Sequence, residues 1–117
     1  MSSKRLSLGT TRRVLEETAP IFAALGDGTR LQLVARLSTS GPMSIARLTS
    51  GGSVTRQAVT KHLHVLADAG IACGIRKGRE SVWELERQPL DEARRCLDGI
   101  SAQWDAALDR LKRFVER

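Results

Sequence analysis

A group of cationic, amide and hydroxyl side chains at helical spacing offers the clearest opportunity for chemistry in this sequence. Its members are Arg56, Gln57, Thr60, Lys61 and His64. At about 100° of rotation per residue they lie on one side of a helix, whereas Ala58, Val59, Leu63, Val65, Leu66 and Ala69 lie on the other. Such polar groups contact phosphates and base edges in a DNA major groove. The pattern predicts a DNA-recognition helix over residues 54–69; an ordinary amphipathic surface helix is the alternative.

The residues just before this helix complete a second pattern. Ser53 and Thr55 stand at its N-terminus, where backbone amides can bind a phosphate. Upstream, the segment MSIARLTS predicts one short helix of about two turns, and GGSV interrupts it. A short helix, a glycine-containing turn and a longer amphipathic helix predict a helix-turn-helix.

Downstream of Gly70 the apolar pattern changes to alternation, which predicts a β-hairpin over residues 71–86. We expect Ile71, Cys73 and Ile75 on one face of the first strand, Val82 and Leu85 as the apolar residues of the second, and Trp83 facing the other way. The KG pair forms the turn, and the cations at the tip are Arg76, Lys77 and Arg79. A hairpin with such a tip directly after a helix-turn-helix predicts a wing that contacts a minor groove or its phosphates. A merely solvated tip is the alternative.

Two further helices should precede the helix-turn-helix. The first is predicted from Thr10 or Thr11 through Glu17, with Pro20 beginning a separate short segment. The second should begin after Asp27 as N-cap and end before Gly41. Its apolar stripe is predicted to consist of Leu31, Val34, Ala35 and Leu37.

One long helix is predicted over residues 89–116, with Pro89 in its first turn. Its apolar residues recur at steps of three and four, as in a heptad seam. We expect a homodimer through this helix with help from the N-terminal helix, by contacts of Leu15, Leu97, Ile100, Trp104, Leu108 and Leu111. A core helix in a monomer is the alternative. The predicted fold is mainly α with a small β-hairpin: a winged helix-turn-helix with a long C-terminal dimerisation helix.

Length and composition restrict the class of protein. The chain has 117 residues, a net charge of +6 and a pI near 10.3, which suit one domain with a polyanionic partner. We expect a flexible tail over residues 1–9 and a single domain over 10–117. No long apolar run or export signal is present, so a cytoplasmic protein without membrane contact is expected.

Cys73 and Cys96 lack metal-site spacing, and His62 and His64 point about 200° apart on a helix. No metal, cofactor or enzymatic activity is predicted.

Three segments together resemble the ArsR/SmtB family of bacterial winged-helix transcriptional repressors. They are ALGDGTRLQLVARL, SVTRQAVTKHLHVLADAGI and RKGRESVWEL, within residues 22–86. Gly28 replaces the usual proline and Thr60 the usual serine, and neither change disturbs the motif. The resemblance implies a homodimer that binds an inverted-repeat operator on double-stranded DNA and releases it when an effector binds.

The family's known metal sites are absent from this sequence. The third-helix sensor would fall in MSIARLTS, which has no Cys, His, Asp or Glu, and residues 89–117 contain no His. The effector therefore stays unknown: it could be an organic ligand, a redox signal through Cys73 or Cys96, or a metal at a site of another kind, or there could be none. The expected function is sequence-specific transcriptional regulation by a homodimeric repressor. A non-specific architectural DNA-binding protein is the alternative.

Overall fold

Residues 12–116 of the chain are described by a computed structural model, and within this range five helices surround a three-stranded antiparallel sheet. In chain order the elements are α1 (Arg12–Leu25), α2 (Gly28–Ser40), β1 (Met43–Ser44), α3 (Ile45–Thr49), α4 (Arg56–Asp68), β2 (Ala72–Lys77), β3 (Glu80–Leu85) and α5 (Arg87–Val115). The predicted fold class, a mainly helical winged helix-turn-helix with a long C-terminal helix, is confirmed. The predicted tail over 1–9 and the predicted helix start at Thr10 or Thr11 lie outside the described residues. No helix in the range 12–116 is long and apolar enough to cross a membrane.

Helix α1 continues through Pro20, so the predicted break at this proline is wrong. Thr18, Ile21 and Ala24 are all buried, and their spacing of three residues carries one packed stripe past Pro20. An interior proline costs a helix about 3 kcal/mol or more because it removes one hydrogen bond and crowds the preceding turn. Pro20 itself lies on the exposed side. Burial of the stripe offsets the local cost and keeps the helix intact.

Helix α2 begins as predicted, but it buries a different stripe. The Asp27 carboxylate accepts a hydrogen bond from the Arg30 backbone N–H at 3.0 Å, which confirms Asp27 as N-cap. Leu33 and Leu37 are buried, whereas Leu31 and Ala35 of the predicted stripe are exposed. The apolar residues of α2 are compatible with burial of either the Leu31 side or the Leu33 side of the helix, and the position of the neighbouring helices decides which side is buried.

The segment MSIARLTS does not form one helix of two turns. Met43 and Ser44 form strand β1, which pairs with Trp83 and Val82 of β3, so the sheet has a third strand that the sequence analysis did not predict. The Ser44 hydroxyl then accepts a hydrogen bond from the Arg47 N–H at 3.2 Å and caps the five-residue α3. Ser44 thus ends the strand and begins the helix.

The sheet has the order β1-β3-β2, and Trp83, which was predicted to face away from the core, lies on its inward face. Ala72 pairs with Leu85 and Gly74 with Trp83 on the face toward the core. Of the residues predicted to face inward, Cys73, Ile75 and Val82 lie on the opposite face. Leu85 shares the face of Trp83, and Ile71, just before β2, is buried as expected. Trp83 is only 6% exposed. Burying an indole removes more apolar surface from water than burying Cys73 or Ile75 would, and this favours the observed face.

Gly74 makes this orientation of the sheet possible. A Cβ atom at position 74 would lie 2.9 Å from Cζ2 and 3.0 Å from Cε2 of Trp83, closer than van der Waals contact allows. The indole therefore lies directly over the Gly74 backbone. A glycine in the middle of a strand marks a close approach of this kind.

Helix α5 begins at Arg87 rather than Pro89, which places Pro89 in its first turn as expected. Only Ala93 and Cys96 of this 29-residue helix are buried, both in its first half, and the helix packs against α1. Beyond Cys96 the apolar residues are largely exposed. The helix belongs to the core at its beginning and leaves the core after about three turns.

We predict that Gly74→Ala lowers the free energy of unfolding by about 1–3 kcal/mol, because the added methyl group overpacks the contact with Trp83. Urea denaturation at one fixed protein concentration measures the change. Gly28→Ala is the matched control, since a Cβ there meets nothing within 4 Å. Equal stability of the two variants would contradict the proposed role of Gly74.

Candidate nucleic-acid interface

The exposed side of α4 carries the polar residues that the sequence analysis selected. Arg56, Gln57, Lys61 and His64 are exposed, and Thr60 is half-buried. The opposite side is formed by Val59, Leu63 and Leu66, which are at most 2% exposed. Val65, predicted on the packed side, is 40% exposed and lies at the border between the two faces. The helix is thus held by one face and presents its cationic and amide groups on the other.

Two hydroxyl groups at the start of α4 are occupied by the helix itself. The Thr55 hydroxyl oxygen accepts a hydrogen bond from the Ala58 N–H at 3.1 Å and caps the helix. The Thr60 hydroxyl donates to the Arg56 carbonyl at 2.8 Å, so its oxygen remains as an acceptor. Ser53 is exposed in the preceding turn. The first-turn N–H groups of α4 give this end partial positive charge, which favours an anion.

His64 has a neighbour that the sequence analysis missed. Its ring stands perpendicular to the Trp83 ring, with the centroids 5.6 Å apart and an interplanar angle of 89°. Aromatic pairs prefer this edge-to-face arrangement. The predicted outward direction of Trp83 concealed the contact, because only the observed face of the sheet brings the indole toward α4.

His62 lies in a polar cluster rather than on the exposed face. Arg30 donates from Nε to the Ala24 carbonyl at 2.6 Å, and its Nη1 lies 3.3 Å from Nδ1 of His62. Because a guanidinium can only donate, this contact makes Nδ1 of His62 the acceptor. The hydrogen bond from the Arg30 backbone N–H and the nearby Arg30 guanidinium hold the pKa of Asp27 below its usual value. The cluster joins the end of α1, the start of α2 and the middle of α4.

A second arginine joins α3, the first helix of the helix-turn-helix, to α2. Arg36 donates from Nη1 to the Leu48 carbonyl at 2.9 Å and from Nη2 to the Arg47 carbonyl at 3.1 Å. These carbonyls end α3, where cations are favoured by the helix dipole. Neither Arg30 nor Arg36 was selected from the sequence, because both lie in α2 and their partners are remote along the chain.

The cations of the wing are exposed at its tip. Lys77 ends β2 opposite Glu80, and Gly78 and Arg79 form the turn, so the turn is one residue later than predicted. Gly78 has a φ of 62°, which suits a two-residue hairpin loop. Arg76 and Lys77 extend from opposite faces of β2. The wing therefore offers cations on both sides, and Glu80 reduces the net charge at the tip.

A separate apolar surface runs along α5. The residues predicted to form the dimer interface are all exposed, and Trp104 is 64% exposed. They are Leu15 of α1 and, in α5, Leu97, Ile100, Trp104, Leu108 and Leu111. Phe114 and Val115 extend the same surface, and Leu31 of α2 is a further exposed leucine. We call the exposed apolar residues of this helix the α5 seam: Leu97, Ile100, Trp104, Leu108, Leu111, Phe114 and Val115. Exposed aromatic and aliphatic residues in such number mark a protein-contact surface.

The described part of the chain shows no group of three or more His, Cys, Asp or Glu placed to hold a metal ion. Its two cysteines are free thiols: Cys96 is buried, whereas Cys73 is half-buried on the outer face of the sheet and not in the core as predicted. The candidate surfaces of this protein are therefore the α4 face, the wing tip and the α5 seam.

Comparison with known proteins agrees with this geometry. A family described as a helix-turn-helix domain matches residues 25–72. The chain is 41% identical over 76 residues to the uncharacterized HTH-type transcriptional regulator YuzN of Bacillus subtilis, covering 60% of this chain and 83% of that one. It is 34% identical over 95 residues to the HTH-type transcriptional regulator Rv2034 of Mycobacterium tuberculosis, covering 81% and 85%.

A solved structure extends the likeness to the whole winged-helix arrangement. The ArsR-like transcriptional regulator from Rhodococcus sp. RHA1 is 33% identical to this chain, with a TM-score of 0.71 over 85% of this chain and 92% of that one. The chain therefore belongs to the ArsR-like family of winged helix-turn-helix transcriptional regulators.

Proposed function

We propose that this chain is a homodimeric repressor that binds an inverted-repeat operator in double-stranded DNA. The observation that supports it most directly is the exposed α4 face, which carries cationic, amide and hydroxyl groups and no carboxylate through His64. Arginine and glutamine form paired hydrogen bonds with guanine and adenine edges, and such contacts distinguish base pairs. The DNA-binding role is assigned to a single winged-helix domain, predicted over residues 10–117. The protein is proposed to act in the cytoplasm and to catalyse no reaction.

The proposed contacts divide by their chemistry. Arg56, Gln57, Thr60, Lys61 and His64 face the major groove, whereas Ser53, Thr55 and the first-turn amides of α4 face a phosphate. Arg76, Lys77 and Arg79 contact the neighbouring minor groove or backbone. The first group supplies base discrimination, and the wing supplies affinity that depends on salt.

The α5 seam supports the dimer. Its apolar residues are spaced by three and four over much of the helix, and each is at least 43% exposed in one chain. A two-fold axis along this helix would cover them with their own counterparts, with Leu15 of α1 at the edge. The two α4 helices would then enter successive major grooves about 34 Å apart on one side of the DNA.

A non-specific architectural DNA-binding protein is the second candidate, since the net charge of +6 and the basic wing would serve it equally well. It predicts no preferred sequence. Selection of bound duplexes from random DNA by the purified protein separates the two, and we expect an enriched inverted repeat. Parallel selections without reductant or with a panel of metal ions identify any signal that releases the DNA. A selection without enrichment would favour the architectural protein.

We predict that Arg56→Ala and Gln57→Ala each weaken binding to the selected operator by about 1–3 kcal/mol and leave binding to random DNA nearly unchanged, because each removes a base contact. Fluorescence anisotropy with both duplexes measures the difference. Arg113→Ala, which removes an exposed cation from the last turn of α5, is the control. Equal losses on both duplexes would argue against α4 as the base-recognition element.

We predict that Lys77→Ala weakens binding to operator and random DNA together, because it removes a phosphate contact that carries no sequence information. The slope of log K against log salt concentration should become shallower by about one. Titrations at several salt concentrations measure the slope. An unchanged slope would place Lys77 outside the interface.

We predict that Leu108→Glu converts the dimer to a monomer at micromolar concentration, because an unpaired carboxylate would be buried in the α5 seam. Sedimentation equilibrium measures the mass. Ala102→Glu, which introduces the same charge on the opposite side of α5, should remain dimeric. A dimer in both variants would show that the chains associate elsewhere.

A further inference from the structure

Trp83 occupies the centre of the three-stranded sheet. Its strand, β3, is the middle strand, and its cross-strand neighbours are Met43 of β1 and Gly74 of β2. Met43 is buried, and Gly74 has no side chain, so the indole fills the space over the β2 backbone. Its position is thus determined by both flanking strands.

Packing alone determines how the indole is oriented. Trp83 Nε1 is buried and has no hydrogen-bond partner among the residues that the structure describes. A buried indole N–H usually finds an acceptor, and leaving it unpaired costs free energy. Burial of the ring against the Gly74 backbone offsets this cost, and the same contact holds the ring flat against β2. A rigid aromatic surface results, inside the wing and next to α4.

His64 is the residue of the α4 face that meets this surface. It is exposed and follows Arg56 and Thr60 at steps of four, so the three form one row along the helix. A solvated histidine at such a position would exchange between rotamers and would lose that freedom when it bound a base. The perpendicular contact with Trp83 at 5.6 Å restricts the ring before DNA binds.

We infer that Trp83 is a positioning residue for base recognition, which acts through His64 and sets the preference of each half-site for one base pair. The inference rests on the proposed function, since it requires α4 to contact base edges. Through Trp83 the wing would contribute to base recognition, in addition to the phosphate contacts proposed for its tip. Edge-to-face aromatic pairs correspond to about a two- to twelvefold effect, and a change of this size in base preference is expected when the pair is lost.

The contact itself is tested without DNA. The Trp83 ring current should displace the His64 ring protons from the chemical shifts of a solvated histidine in nuclear magnetic resonance spectra of the free dimer. The shift should disappear in Trp83→Leu and persist in the control Arg113→Ala, which changes an exposed residue in the last turn of α5. Ring protons at unshifted positions in the unmodified protein would overturn the inference at its first step.

The functional test is a double-mutant cycle on the selected operator, with every base pair of one half-site varied in turn. Trp83→Leu should reduce the preference at the position contacted by His64 about two- to twelvefold, and Trp83→Phe should restore part of it. In a His64→Ala background the same Trp83 substitutions should leave base preference unchanged. Thermal denaturation of each variant confirms that the dimers compared are folded.

The outcomes separate this inference from the proposed function. Loss of preference that depends on His64 supports the positioning role. Equal effects of Trp83→Leu with and without His64 would overturn it, because a purely structural tryptophan would act on all positions alike. If the unmodified protein selected no operator, the proposed function would fail, and the inference would fail with it.

Discussion

Burial of one face of α4 is the interaction on which the rest of this structure depends. Leu63 and Leu66 have no exposed surface, and Ile71, which follows the helix, has none either. Each such side chain contributes about 1.5–3 kcal/mol when it is fully removed from water. Since the helix is held from that side, its cationic and amide groups can remain solvated and unpaired by carboxylates until a polyanion replaces the water.

Hydrogen bonds from two arginine side chains then help to orient the buried elements. Arg30 reaches the end of α1 and His62 of α4, and Arg36 reaches the end of α3. Both arginines extend from α2, so one helix aligns the two helices of the DNA-binding motif. Apolar burial is largely non-directional, whereas these charge-assisted contacts have a required geometry. They explain why a small core can hold α4 in one orientation.

The wing and the α5 seam extend from this core in different ways. The wing remains attached through Trp83, whose indole lies against Gly74 and touches His64. The α5 seam extends beyond the core after Cys96, and its apolar residues remain exposed to solvent in the described part of the chain. A protein built in this way presents a polar surface at one place, on α4 and the wing, and an apolar surface at another, on α5.

The sequence by itself determined the elements that short-range periodicity encodes: the amphipathic α4, the Asp27 cap, the cationic wing tip and the apolar spacing of α5. Choices between nearly equivalent faces required the tertiary structure. Leu33 rather than Leu31 is buried in α2, Trp83 rather than Cys73 faces inward, Met43 pairs as a strand, and α1 passes through Pro20. In each case local propensity leaves two states close in free energy, and contacts between residues far apart in the chain decide between them.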